Sequence, residues 1–366
     1  MESIGNGFCG EGRRRRPFRF DHSWVREVGC EEKIVEAWTL PQYGTAMYRV
    51  AQKVKACRVA LLKWSNSQVW VTPRFIEEKK AQLFQLENSL PGLYDSHEVN
   101  LLRREINVLM EKEEILWRQR SRISWLKEGD RNTNFFHACA SQRKKTNAIQ
   151  SVRDSNGEWH TDQAGISQVA VGYFTQLFST SSPATVDEVV SLVEQKVSPN
   201  MNDAMLAPFT VEEVKAALFQ MNPSKAPGLD GMTALFFQKY WHIVGSDVST
   251  AVLDFFNTGR MLGSINFTNI ALIPKVKSPV CMSQFQPISL CNVLYKLVSK
   301  VLVNRMKNVL PWVISDCQSA FVPRRMIIDN VIVAFEVLHY LKNLRVGGNS
   351  QMAVKLDMSK AYDQVE

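Results

Sequence analysis

The chain has 366 residues and a formal net charge of +8, with 45% hydrophobic and 22% charged residues. This composition is typical of a globular protein, and the length suffices for about two or three domains. No apolar run is long enough to span a membrane, and the N-terminal stretch MESIGNGFCGEG lacks the apolar core of a signal peptide. We therefore expect no membrane partner and an intracellular location, in the nucleus or the cytoplasm. The basic charge favours a polyanion such as nucleic acid as partner.

The N-terminal part of the chain is predicted to be basic and mostly helical. The run RRRRPFRF is interpreted as an exposed basic segment followed by a short strand, and the alternative is a nuclear-localisation signal or a phosphate-binding patch. Apolar residues then recur at helical spacing over 31–61, 73–90 and 96–125.

Over 101–147, Lys and Arg outnumber Asp and Glu, and Trp117, Trp125, Phe135 and Phe136 lie between the charges. Basic and aromatic residues together are typical of a nucleic-acid contact surface. The alternative is a solvated helix whose aromatic side chains pack inward.

A β-hairpin is predicted over 149–160, because Asn156-Gly157 between two short apolar runs is a strong turn signal. A helix from Ile166 to Phe178 follows, and 179–186 has the composition of a linker.

The pattern changes after this linker. Thr210 and Glu213 form a capping box that begins a helix to about Met221, and a loop rich in Pro and Gly comes next. The remaining predicted elements are helices over 233–244 and from Ser246 to Gly259, a strand within 267–276, a strand-to-helix run over 286–310, a helix over 326–344 and a buried strand over 351–358.

Five sequence stretches carry a resemblance to a known family, and they occur along the chain in the same order as in that family. They are KAPGLDG (225–231), NIALIPKVKSP (269–279), FQPISLCNVLYKLVSKVLVNRM (285–306), QSAFVPRRMIIDNV (318–331) and KLDMSKAYDQVE (355–366). Together they closely resemble the reverse transcriptase of plant non-LTR (LINE-type) retrotransposons. The stretch at 125–149 resembles the segment before that polymerase in the same elements, and RPFRFDHSWV (16–25) resembles the last strand of their endonuclease domain.

The resemblance implies a helix-rich α+β fold: the fingers and the start of the palm of a right-hand polymerase, preceded by a helical connector. The implied domains are 1–25, a basic N-terminus and remnant of the endonuclease strand; 26–147, a basic connector; 148–186, a hairpin, helix and linker; and 187–366, the N-terminal part of the reverse transcriptase domain.

The resemblance also implies RNA-directed DNA polymerase chemistry, with Mg²⁺ as cofactor and an RNA template and a DNA primer as partners. Asp357 matches the catalytic carboxylate at the end of the first palm strand, where Mg²⁺ finds the oxygen ligands it prefers. The carbonyl of Met358 is expected beside it, and Tyr362 matches the residue that packs under the incoming sugar and disfavours a 2′ hydroxyl.

Further matches concern the nucleotide and the template. Lys275 and Gln286 match the fingers hairpin that binds the triphosphate, where several cations suit a highly charged ligand. Lys225 matches a position that contacts template phosphates, and Arg324 and Arg325 match positions near the template backbone or the nucleotide. Gln286 departs from the family, which usually has Arg there, and glutamine cannot neutralise a triphosphate.

The family's second metal-binding aspartate motif, its primer grip and its thumb have no counterpart in 1–366. We therefore expect a chain truncated within the palm just after the first catalytic-aspartate motif, and without polymerase activity, because one carboxylate does not make a two-metal site. Two alternatives stay open: a non-enzymatic RNA-binding remnant, and an active reverse transcriptase whose gene model was cut short. The sequence does not predict an oligomeric state.

Overall fold

The computed structural model describes residues 17–67, 73–88, 96–123, 133–343 and 351–356. Its helices are α1 (Cys30–Trp38), α2 (Ala46–Ser67), α3 (Pro73–Glu87), α4 (Ser96–Ser121), α5 (Thr133–Thr146), α6 (Gln163–Leu177), α7 (Val186–Ser191), α8 (Pro199–Leu206), α9 (Val211–Phe219), α10 (Ala234–Lys239), α11 (Trp241–Thr258), α12 (Gly263–Asn266), α13 (Val293–Met306), α14 (Leu310–Val313) and α15 (Ile327–Asn343). Its strands are β1 (Val152–Arg153), β2 (Trp159–His160), β3 (Asn269–Pro274) and β4 (Phe285–Leu290), and short 3-10 helices cover His22–Arg26 and Met282–Gln284. The helix-rich α+β character predicted from the sequence is confirmed.

The described part of the chain forms two compact units. The first unit comprises Met1–Thr146, Val211–Ala271 and Ile288–Leu297, and the second comprises Asn147–Thr210, Leu272–Pro287 and Val298–Glu366. Compact units and evolutionary domains are different divisions, so the domain boundaries drawn from the sequence stay a prediction.

None of the helices described here combines the length and the apolar content needed to cross a membrane.

The core of the first unit lies where α1, α2 and α11 pack together. Helix α2 buries Val50, Val54, Cys57 and Leu61, which recur at spacings of three and four residues and so share one face. Removing a side chain of this size from water stabilises the fold by about 1.5–3 kcal/mol. The sequence predicted helical spacing through 31–61, and Pro41 lies in the break that separates α1 from α2.

A partly buried ion pair joins α2 to α11 beside this core. Asp247 accepts hydrogen bonds from Nζ of Lys53 at 2.6 Å and from Nε1 of Trp38 at 2.8 Å. Both hydrogen bonds end on Oδ2 of the carboxylate, and together they offset part of the cost of removing its charge from water.

The helix boundary predicted at Ser246 is wrong. The break falls instead at Tyr240, which lies between α10 and α11 with φ −102° and ψ 26°, and Ser246 lies inside α11. Tyr240 is almost fully buried, so packing of its ring overrides the local capping preference of a serine. The predicted end at Gly259 is confirmed, because this residue is left-handed (φ +68°) and its N–H donates to the Phe255 carbonyl at 2.7 Å.

The N-terminal segment from residue 17 onward packs into the first unit. Phe20 is fully buried, with its ring 5.6 Å from that of Trp24 and 5.5 Å from that of Phe236. The short strand predicted after the basic run is wrong, since residues 17–21 have no strand and are followed by a 3-10 helix. Burial of the aromatic rings, rather than sheet pairing, holds this segment.

The predicted hairpin over 149–160 is confirmed in the second unit. Strands β1 and β2 are antiparallel, and the Asp154 carboxylate accepts the N–H groups of Asn156 and Glu158, each at 2.9 Å. Val152 of the hairpin packs in a core with Phe174 of α6 and Phe285 of β4.

The two strands predicted around 267–290 are confirmed as the paired β3 and β4, and the helix predicted over 326–344 is confirmed as α15. No residue of α15 is buried in the described structure.

The buried strand predicted over 351–358 is wrong for the residues the structure describes. Residues 351–356 have no regular structure and are exposed, Met352 to 83% and Leu356 to 88%. A strand is stabilised by hydrogen bonds to a neighbour, and no strand of the described chain pairs with this segment.

Candidate nucleic-acid interface

The loop at 222–231 joins α9 to the residues before α10 and carries several exposed polar groups. Its first turn is closed by the side chain of Asn222, whose Oδ1 accepts the Ser224 N–H at 2.9 Å. Lys225 comes next and is exposed.

Three side chains from distant parts of the first unit bind the backbone of the 222–231 loop. Nζ of Lys296 donates to the Ala226 carbonyl at 2.8 Å, and Arg122 donates to the Ser224 carbonyl at 2.6 Å. Asn292 is buried, and its Oδ1 accepts the N–H of Asp230 at 3.5 Å. Loop carbonyl groups need such partners because the loop makes no sheet or helix of its own.

The loop ends at Gly231, where the chain passes close to the N-terminal segment. Gly231 is left-handed, with φ +74°, and a Cβ atom there would lie 2.2 Å from the carbonyl oxygen of Phe18. Its own carbonyl accepts the Phe20 N–H at 2.9 Å. Only glycine combines this conformation with this close approach.

Cations gather beside the loop. Burial together with the nearby Arg19 and Arg143 lowers the pKa of Arg122, because each of these effects disfavours its charge. A phosphate bound there would relieve this repulsion, as phosphate oxygens accept charge-assisted hydrogen bonds from guanidinium groups.

His22 lies against the same cluster. Its Nε2 is buried without a hydrogen-bond partner in the described chain, and its backbone N–H donates to Oε1 of Gln119 at 3.2 Å. Burial, and to a lesser extent Arg122, lowers the pKa of His22 to about 4, while Asp21 opposes the shift. The imidazole is therefore neutral at pH 7 and adds no charge to the cluster.

Asp230 is the acid of the 222–231 loop. Burial raises the pKa of its carboxyl to about 6, and the hydrogen bond from the Met232 N–H together with the charges of Lys296 and Arg58 opposes this shift only in part. A carboxyl whose charge is disfavoured by its own fold is a candidate functional group.

The residues predicted to bind the triphosphate lie on the hairpin formed by β3 and β4. Lys275 directly follows β3 and is exposed, and its N–H donates to the Gln284 carbonyl at 2.8 Å. Gln286 is the second residue of β4, and its side chain is also exposed. The hairpin thus presents both side chains to solvent.

The two arginines predicted to approach the template differ in their surroundings. Arg324 is exposed and has a left-handed backbone, with φ +69°. Arg325 is largely covered and donates to the carbonyl groups of Gln318 at 2.7 Å and Ile314 at 3.3 Å, and to the Asp316 carboxylate at 3.1 Å. Arg325 therefore holds the segment after α14 together.

Asp357, Met358 and Tyr362 lie outside the described residues, so the structure leaves the predicted metal and sugar contacts untested. Within the described ranges, no cluster of three or more His, Cys, Asp or Glu side chains could hold a metal ion.

Sequence reasoning missed the side chains that fix the 222–231 loop, namely Arg122, Asn292 and Lys296. Each comes from a separate stretch of chain, and no local pattern marks a residue that binds a distant carbonyl. The only available signal was the loop's density of Pro and Gly, which implies that its carbonyl groups need partners elsewhere.

Residues 273–366 match the family described as reverse transcriptase (RNA-dependent DNA polymerase). This range contains the hairpin residues Lys275 and Gln286, both arginines of the 318–331 stretch, and Asp357. The chain therefore carries sequence of a reverse transcriptase domain.

Three relatives come from mobile elements. An uncharacterized 149 kDa protein of transposon TX1 from Xenopus laevis is 32% identical over 68% of this chain. An RNA-directed DNA polymerase from mobile element jockey of Drosophila funebris is 27% identical over 52%, and a Pol polyprotein from the type-2 retrotransposable element R2DM of Drosophila melanogaster is 24% identical over 54%. These matches support the predicted resemblance to LINE-type reverse transcriptases, and its plant origin stays a prediction.

The chain spans only about a fifth of the relatives that it matches: 19% of the transposon TX1 protein, 21% of the jockey polymerase and 17% of the R2DM polyprotein. The activity of those whole proteins is therefore not transferred to this chain by the matches alone.

Proposed function

We propose that this chain supplies the fingers and the start of the palm of an RNA-directed DNA polymerase of a LINE-type retrotransposon, with RNA template and DNA primer as partners. The reverse transcriptase match over 273–366 carries this proposal. The cations around the 222–231 loop support it, because phosphate contacts position a strand without reading its sequence.

In this proposal the hairpin of β3 and β4 orients the nucleotide. The ammonium group of Lys275 attracts the triphosphate, and its exposure leaves it accessible to that ligand. Gln286 donates a hydrogen bond from its amide without neutralising charge. In a complete polymerase, an arginine in place of Gln286 would add a charged contact of a kind worth roughly a hundredfold to a thousandfold in rate.

The template side is assigned to Lys225 and Arg324, both exposed. Arg325 was also predicted to contact the template, but its donors already bind carbonyl groups of its own segment. Its proposed role is to keep Arg324 in place.

Asp357 and the carbonyl of Met358 would hold Mg²⁺, and the bound ion would supply charge stabilisation for phosphoryl transfer. The ring of Tyr362 would exclude a ribose 2′ hydroxyl by steric overlap and so favour deoxynucleotides. This assignment rests on the match of residues 355–366 to the family pattern.

The 366 residues on their own are proposed to be inactive as a polymerase, because a two-metal site needs further carboxylates in addition to Asp357. The test is primer extension on an RNA template with Mg²⁺, with a complete enzyme of the same family as positive control. Extension that Asp357→Ala abolishes would contradict the proposed inactivity. Extension that survives Asp357→Ala would point to a contaminating enzyme.

A second candidate function is RNA binding without catalysis, which the fixed 222–231 loop and the cations beside it favour. The third candidate, an active enzyme with a longer coding sequence, is decided by reading the genomic sequence downstream of codon 366. A Tyr/Phe-Ala-Asp-Asp segment in frame there would support it.

A further inference from the structure

A cavity of about 600 Å³ lies within the first unit, beside the end of the 222–231 loop. Its walls come from α2, the loop residues Leu229 and Asp230, α12 with the residue that follows it, and the start of α13. The volume falls in the range of sites that hold one small organic group.

The polar side of the cavity carries two cations and one acid, Lys55, Arg58 and Asp230. Nε of Arg58 is buried and has no hydrogen-bond partner in the described chain. An unsatisfied buried donor costs about 1–3 kcal/mol, and more when the group is charged. Because Nε itself has no accessible surface, a ligand in the cavity would bind the guanidinium of Arg58 through its terminal Nη groups.

The rest of the lining is apolar. It consists of Ala51, Val54, Leu229, Ile265, Phe267 and Leu294. Phe267 is 46% exposed, so its side chain is accessible to a ligand in the cavity. Aromatic side chains of this kind stack on the unpaired bases of single-stranded RNA.

Asn292 also borders the cavity, but its side-chain amide already makes hydrogen bonds within the protein. Its Nδ2 donates to the carbonyl groups of Ser264 and Ile265, each at 3.4 Å, and its Oδ1 accepts from Asp230. Asn292 therefore shapes the wall, and Asp230 is left as the acceptor for hydroxyl or amino groups of a ligand.

We propose that this cavity receives one unstacked nucleotide of single-stranded RNA. The base lies against Phe267 and the apolar wall, its phosphate binds Lys55 and Arg58, and a ribose hydroxyl donates to Asp230. The inference rests on the proposed function, since the RNA is its template.

The cavity lies close enough to the cations beside the 222–231 loop for one RNA strand to contact both. Lys225 is five residues before Asp230 on the same loop, which limits their separation to about 18 Å. One RNA strand that contacts the cations beside the loop can therefore reach the cavity without a change of fold.

The test measures binding of a short fluorescein-labelled oligouridine to the full chain by fluorescence anisotropy, with a paired RNA duplex of the same length as comparison. Arg58→Gln is expected to weaken oligouridine binding about tenfold or more, and Phe267→Ala by a similar factor. Lys63→Gln, which removes one exposed charge from the same helix, is the matched control and should change binding less than about twofold.

A charge-neutral variant separates binding from folding. Ala51→Leu fills part of the cavity and is expected to weaken oligouridine binding while duplex binding stays unchanged, with circular dichroism melting as the check on folding. Photo-crosslinking with 4-thiouridine in the oligomer should place the adduct on the peptide that contains Phe267.

The outcomes distinguish the two proposals. If RNA binds but Arg58→Gln, Ala51→Leu and Lys63→Gln all behave alike, or if adducts form only elsewhere, the cavity inference is overturned and the proposed function stands. If the chain binds neither RNA at low salt, both are overturned.

Discussion

Asp230 and His22 are two partly buried titratable residues of the first unit, and their pKa shifts have opposite effects on stability in acid. Burial raises the pKa of Asp230 to about 6 and lowers that of His22 to about 4. Between pH 4 and 6 the folded state therefore binds more protons than the unfolded state at Asp230, and fewer at His22. Acidification stabilises the protein through the first residue and destabilises it through the second.

Asp230→Asn is expected to raise the free energy of unfolding by about 1–3 kcal/mol at pH 7, because the amide is neutral where the buried carboxylate is charged. The gain should shrink as the pH falls from 6 towards 4, since wild-type Asp230 becomes protonated in the folded state over that window. Urea denaturation of the wild type and of Asp230→Asn between pH 4 and 7 measures this gain. The contribution of His22 cancels because it is present in both proteins.

Glu32→Gln removes an exposed carboxylate from the same unit and serves as the control for charge alone. A variant at Asp230 that is less stable than wild type at pH 7, or a gain independent of pH, would contradict the assignment of a disfavoured charge to Asp230.

At the scale of elements, the 222–231 loop is fixed by hydrogen bonds with Arg122, Asn292 and Lys296 and by one tightly packed turn at Gly231. Gly231→Ala is expected to cost about 2 kcal/mol or more, because a left-handed alanine is strained and its Cβ would overlap the Phe18 carbonyl. Thermal denaturation of the wild type and of Gly231→Ala measures the expected decrease in Tm.

Gly259→Ala is the matched comparison. Gly259 has a similar left-handed φ of +68°, but a Cβ there meets no atom within 4 Å, so the cost should be limited to strain of about 1 kcal/mol. Equal losses of stability for Gly231→Ala and Gly259→Ala would show that overlap with the Phe18 carbonyl adds nothing to the cost at Gly231.

Helices α11 and α15 differ in how many of their residues are buried. Helix α11 buries Val248, Ala251 and Val252 completely, whereas α15 buries no residue in the described structure. Because most helix stability in proteins comes from packing, the amides of α15 should be at least about a hundredfold less protected against hydrogen exchange than those of α11. Equal protection in the isolated chain, measured by mass spectrometry, would show that α15 is packed against something.

At the scale of the whole molecule, the net charge of +8 and the cations beside the 222–231 loop predict salt-dependent binding of RNA. If about three to five phosphates are neutralised, the logarithm of the affinity should fall with the logarithm of salt concentration with a slope of about −2 to −4. Lys225→Gln should reduce this slope by about 0.7, whereas Lys215→Gln on α9 should leave it unchanged. A titration that shows no salt dependence would rule out phosphate contacts.

The local patterns of the sequence predicted much of the secondary structure. Asn156-Gly157 predicted the hairpin, Gly259 the end of α11, and the short apolar run at 269–274 strand β3, since each signal acts within a few residues. The predictions failed at Ser246 and over 351–356. The first failed because burial of Tyr240 overrode a cap, and the second because a strand requires a partner that the described chain does not provide.

The sequence by itself determined the reverse transcriptase character of this chain, because motifs such as FQPIS and FVPRR are short, local residue patterns within the matched range. Only the tertiary structure decided which side chains hold the 222–231 loop and what lies beside it. Arg122, Lys296 and Arg58 come from separate helices or their ends, and their convergence on one loop and one cavity follows from how the first unit packs. Hydrogen bonds and burial between residues far apart in the chain carry that information, and no local pattern encodes it.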